Sequence, residues 1–91
     1  MKLYERLTEE TWGKGYVRLD GRGCLTRHFM MDLPTPGERI QAGRAVAEAI
    51  RLLYPDRMLP YTTGWVGIGR FNDHPETTLD DVLRVLKFAD V

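Results

Sequence analysis

The chain reads as a mainly α domain with a minor β component. Two helix start signals, each followed by an apolar stripe at helical spacing, carry the α reading. One stretch of β-prone residues around an Asp-Gly pair carries the β component. The clearest start is Thr35-Pro36-Gly37-Glu38. Thr35 can accept from the backbone of Glu38, Glu38 can reach back as the other half of a capping box, and Pro36 occupies the first helical position, where its missing N–H is not needed. Ile40, Gly43, Val46, Ala47, Ile50, Leu53 and Tyr54 then recur at steps of three and four, one apolar stripe of 3.6-residue period. Pro55 cannot continue the helix, so the spacing predicts a helix over 36–54. Gly43, lying on that stripe, implies the close approach of another element.

The second start signal is Thr77-Thr78. Either hydroxyl can cap a helix over 78–89 whose first turn holds Asp80 and Asp81, where negative charge complements the helix dipole. Leu79, Val82, Leu83, Leu86 and Ala89 form the expected inner stripe, and Val85 and Phe88 widen it. That width fits a helix wedged between two elements or an apolar edge left for a partner. A third helix is expected over 2–11 from the spacing of Leu3, Tyr4, Leu7 and Thr11, ending at Trp12-Gly13-Lys14-Gly15. A short helix over 26–32 would turn Phe29, Met30 and Leu33 inward. The β component is a hairpin over 16–25 around Asp20-Gly21, a pair suited to a type I′ turn, with the stretch 65–71 as an extended segment beside it.

With 91 residues, 43% of them hydrophobic, the chain suffices for a single domain over 1–91 that needs neither metal nor disulfide to form a core. Cys24 is the only cysteine, which excludes an intrachain disulfide and fits a reducing compartment. The opening residues meet acid too soon for a signal peptide and no apolar run approaches membrane length, so a cytoplasmic protein is expected. Thirteen basic and thirteen acidic residues cancel, which disfavours a dedicated nucleic-acid binder. The charge is nonetheless segregated, basic around residues 14–28 and acidic over 73–90.

The motifs that could carry chemistry are weak. Gly64-Trp65-Val66-Gly67-Ile68-Gly69-Arg70 has the glycines of a phosphate loop but neither the order of the dinucleotide fingerprint nor the Gly-Lys-Ser/Thr of a P-loop. It reads instead as backbone passing close to bulky neighbours, with Trp65 and Phe71 anchoring the core. Cys24, His28 and His74 could form a metal or nucleophile site only by recruiting Asp32 or Asp73, and lone cysteines are commonly inert core residues. No catalytic residue, metal ligand or cofactor is therefore expected. Arg18, Arg22, Arg27 and His28, interleaved with Tyr16 and Phe29, form the one basic run that could hold a partner's acids or a phosphate backbone. Together with Val85 and Phe88 they are the candidate partner-binding residues.

Phe71-Asn72-Asp73-His74-Pro75-Glu76-Thr77-Thr78 reads as a structural staple in which Asn72 and Asp73 hold a turn and the threonines cap the last helix. The same residues carry a resemblance. Phe71-Asn72-Asp73-x-Pro75-x-Thr77-Thr78 followed by Asp81-Val82-Leu83-x-x-Leu86, with Trp12-Gly13 and Cys24-Leu25 in matching order, resembles the signature of a family of small bacterial and phage proteins classed as a domain of unknown function. The resemblance spans most of the chain. It departs after Cys24-Leu25, where the family's small Gly-Ala step is replaced by Thr26-Arg27-His28. It implies no activity, cofactor or ligand, only a compact accessory protein of phage or mobile-element context. The expectation is a non-enzymatic protein-binding module, with inhibition of a host defence complex as one role by analogy. A homodimer through the C-terminal helix would use the Phe88 edge. The alternatives are a small nucleic-acid binder using Arg18, Arg22 and Arg27, and a Cys/His enzyme.

Overall fold

The computed structural model describes residues 2–15, 22–57 and 64–91. Among them are four α-helices, α1 (Leu25–Asp32), α2 (Pro36–Leu53), α3 (Gly64–Asp73) and α4 (Leu79–Ala89), with 3-10 turns at Leu3–Glu5 and Pro55–Arg57. The mainly α reading is correct, and the β character among the described residues is one isolated parallel bridge between Trp12 and Gly23. Most of the expected hairpin, and with it Arg18, lies outside the described residues.

The central helix forms for the reasons its sequence supplies. Thr35 Oγ1 accepts from the Glu38 amide, Pro36 takes the first position, and the helix ends before Tyr54 and Pro55. Gly43, Val46, Ala47, Ile50 and Tyr54 are buried as their spacing requires. Ile40 is not; it is 52% exposed, one turn ahead of the point where the neighbouring helices cover α2. α2 packs against both α3 and α4, and α1 packs on α2 and α3. A buried cluster including Leu25, Phe29, Val46, Ile50, Ile68, Phe71, Val82 and Leu86 fills the space between them.

α4 starts with a complete capping box. Thr78 Oγ1 accepts from the Asp81 amide while Asp81 Oδ2 accepts from the Thr78 amide. Val85 is fully buried, because α4 contacts the Leu3–Glu5 turn as well as α2. The wide apolar arc of α4 therefore meets two neighbours, buries Val85 and leaves Phe88 58% exposed.

Three further expectations need correction. Residues 2–11 hold only the Leu3–Glu5 turn, although Leu3 and Leu7 are buried as a helical pair would be. The physical cause is side-chain competition for the backbone. The Thr8 amide donates to Thr11 Oγ1 and the Glu10 amide to Thr8 Oγ1, which closes a turn where a helix would have continued. Residues 65–71 are helical, not extended. Alternating glycines mimic a strand's period, but Ile68, Phe71 and Asn72 share one helical face and are fully buried, and that burial outweighs the poor helix propensity of glycine. Met30 does not turn inward; it is 45% exposed, whereas Phe29 beside it is fully buried.

Candidate interaction surface

The chemistry-bearing side chains are engaged within the fold. Cys24 is buried at the N-terminal end of α1. His28, expected on a partner-binding face, is also buried: Nε2 lies 2.9 Å from the Thr11 carbonyl oxygen and Nδ1 3.2 Å from Asp32 Oδ2. Its place on the inner side of α1, four residues before Asp32, directs the ring toward the N-terminal segment. Among the described residues no three His, Cys, Asp or Glu side chains gather in a way that could hold a metal ion.

Asn72 is the polar centre of the molecule. Fully buried on α3, its Oδ1 accepts from Trp12 Nε1 at 2.7 Å and from the Leu25 amide at 3.1 Å. Its Nδ2 donates to the Gly13 carbonyl and to Asp73 Oδ1. Asp73 Oδ1 also accepts from the Gly15 amide, and Lys14 Nζ donates to the His74 carbonyl. Asn72 and Asp73 do not hold the local turn expected of them: they sit at the end of α3 and fasten the Trp12–Gly15 segment to it, while Thr78 caps α4.

A second polar cluster ties the end of α2 to α4. Arg57 Nη1 lies 2.7 Å from Asp81 Oδ2, Tyr54 Oη donates to Asp81 Oδ1, and the guanidinium carbon of Arg57 sits 4.5 Å from the Tyr54 ring centre. Burial pushes the Asp81 carboxyl up, but the hydrogen bonds from Arg57, the Thr78 amide and Tyr54, with the Arg57 charge, together hold it below its ordinary 3.8. Tyr54 moves the opposite way, raised first by burial and then by donating to the Asp81 carboxylate. The neighbouring Arg57 is raised, chiefly by its hydrogen bond to Asp81. Its Nε is buried without a hydrogen-bond partner among the described residues.

Of the sequence-derived partner-binding residues, the structure leaves two near the surface on α1 and its approach, and one on α4. Arg27 lies across Gly23, where an added Cβ would stand 2.7 Å from Arg27 Cδ, and Arg22 is half-buried beside that glycine. Phe88 is exposed on α4. His28 and Val85 are core residues, and the described residues bring neither to the surface.

A surface the sequence reading missed runs along α3. A cleft of about 640 Å³ lies between this helix and the Pro55–Arg57 turn, with Trp65, Val66 and Arg70 on one wall and Asp56, Arg57 and His74 around the other. Trp65 is 37% exposed: its ring meets Phe29 edge-on at 5.3 Å and lies over Gly43. Val66 is 59% exposed. A helical reading of 64–73 would have found this face, because Trp65, Val66, Gly69, Arg70 and Asp73 follow the spacing of one helical side. No helix among the described residues is long and apolar enough to cross a membrane.

No curated protein and no solved structure matches the chain. The model of a family of unknown function, DUF6197, matches residues 3–90, nearly the whole length over which the Trp-Gly, Cys-Leu and Phe-Asn-Asp elements are spread, and the chain belongs to that family.

Proposed function

We propose that this chain is a non-enzymatic accessory module that acts by binding another protein, and that the cleft along α3 is its principal contact surface. The observation that carries the reading is the exposure of Trp65 and Val66 at the wall of a concave face. An aromatic ring already held by Phe29 and Gly43 loses little freedom when a partner covers it, and such side chains are enriched where proteins meet. The internal engagement of His28, Asn72 and Asp81 further supports a binding role over a chemical one. The setting we propose is cytoplasmic, in a bacterium carrying the protein on a phage or mobile element, so bacterial lysate is the source from which to seek the partner.

The test is capture of a specific partner by the wild-type chain, repeated with Val66→Asp and with Phe88→Asp after each variant is shown to be folded. Loss of binding with Val66→Asp alone supports the cleft. Loss with Phe88→Asp alone moves the contact, or a homodimer, to the α4 edge. Undiminished binding by both variants overturns both surfaces.

Nucleic-acid binding is the second reading, favoured by one observation: Arg27 lies across Gly23, the residue that follows Arg22 in the chain. It predicts a complex with DNA or RNA that weakens steeply as salt rises. No mobility shift at low ionic strength removes it.

A further inference from the structure

We propose that the grip of the N-terminal segment on α1 is proton-gated through His28. The ring is buried between two oxygens, the Thr11 carbonyl 2.9 Å from Nε2 and the Asp32 carboxylate 3.2 Å from Nδ1. A carbonyl and a carboxylate can only accept. A neutral imidazole has one N–H and one lone pair, so it satisfies one of these oxygens and turns its lone pair on the other; the imidazolium donates to both.

The consequence reaches beyond the ring. The Thr11 carbonyl also accepts from the Gly23 amide, and the Gly13 amide donates to the Gly23 carbonyl. His28 therefore braces the junction at which the N-terminal segment, the Gly23 bridge and α1 meet. When the ring is neutral, the carboxylate, the stronger acceptor, keeps the single proton on Nδ1, and the Nε2 lone pair then opposes the Thr11 carbonyl oxygen. The Asp32 side chain is 26% exposed, and Arg6 Nη1 of the N-terminal segment stands 3.7 Å from its Oδ1. The remaining charges around the junction are Glu9 and Glu10 ahead of Thr11, Lys14 after it, Arg22 beside Gly23, and Arg27 on α1. From α3, Asp73 accepts from the Gly15 amide, and Asn72, which is uncharged, bonds Trp12 and Gly13. The bond from Nε2 to the Thr11 carbonyl therefore holds the junction when His28 is protonated and is lost when the ring is neutral.

Amide hydrogen exchange at Gly23 and Trp12, corrected for intrinsic exchange and followed from about pH 5.5 to about pH 8, tests this directly. Protection should fall about three- to tenfold as pH rises, the loss expected for one charge-assisted hydrogen bond. In Asp32→Asn the new side-chain amide can donate to Nδ1 of the neutral ring, so the fall should vanish. It should also vanish in His28→Gln, which cannot titrate, and persist in His74→Gln, which removes the only other histidine. Flat protection in the wild type overturns the proposal. So does an unchanged fall in Asp32→Asn or His28→Gln, or its disappearance in His74→Gln.

Discussion

Asn72 shows how much one buried amide can organise. It satisfies an indole N–H, a helix-terminal backbone amide and a loop carbonyl at once, and so fastens Trp12, α1 and the Gly13 turn to α3. Truncation would leave several of those groups buried without partners, each costing about 1–3 kcal/mol. Asn72→Ala is therefore expected to lower stability by at least about 3 kcal/mol in denaturant melts. Gly43 behaves differently. A Cβ there would stand 3.6 Å from Trp65 Cη2, an ordinary contact distance. Gly43→Ala should accordingly gain the helix-propensity difference, up to about 1 kcal/mol, with Trp65 in place. A larger side chain should displace the indole and change its fluorescence.

At the scale of the element, α4 separates two kinds of apolar residue that its sequence places side by side. Val85 is fully buried, whereas Phe88 faces outward. Val85→Asp should abolish cooperative folding, because it buries an unpaired charge. Phe88→Asp should leave the midpoint within about 0.5 kcal/mol of wild type. The capping box makes a separate contribution. Thr78→Ala removes the acceptor for the Asp81 amide and should cost about 1 kcal/mol, read from the same melts.

For the whole molecule, the tie among Tyr54, Arg57 and Asp81 decides how stability responds to acid, because it joins the end of α2 to the start of α4. Asp81 is held below its ordinary value of 3.8 in the folded chain. Its contribution is therefore complete above about pH 4 and disappears as pH falls through the lowered folded value. Thermal melts from about pH 5 downward should show this loss, and Asp81→Asn should be less stable at neutral pH with a flatter acid limb. An acid limb as steep in Asp81→Asn as in the wild type would place the acid sensitivity elsewhere.

The sequence by itself determined what depends on near neighbours along the chain. The starts of α2 and α4, the end of α2 before Pro55, the short α1 and the inner stripe of α2 rest on caps, proline geometry and apolar spacing, all set within a few residues. Only the tertiary structure decided what depends on which surfaces meet. It made 64–73 a helix by giving Ile68, Phe71 and Asn72 a shared core, drew His28 and Val85 inside, and left Trp65 and Val66 beside a cleft that no contiguous motif announces. Local spacing states which residues share a face; whether that face is covered depends on residues far away in the sequence, and so does the chemistry left at the surface.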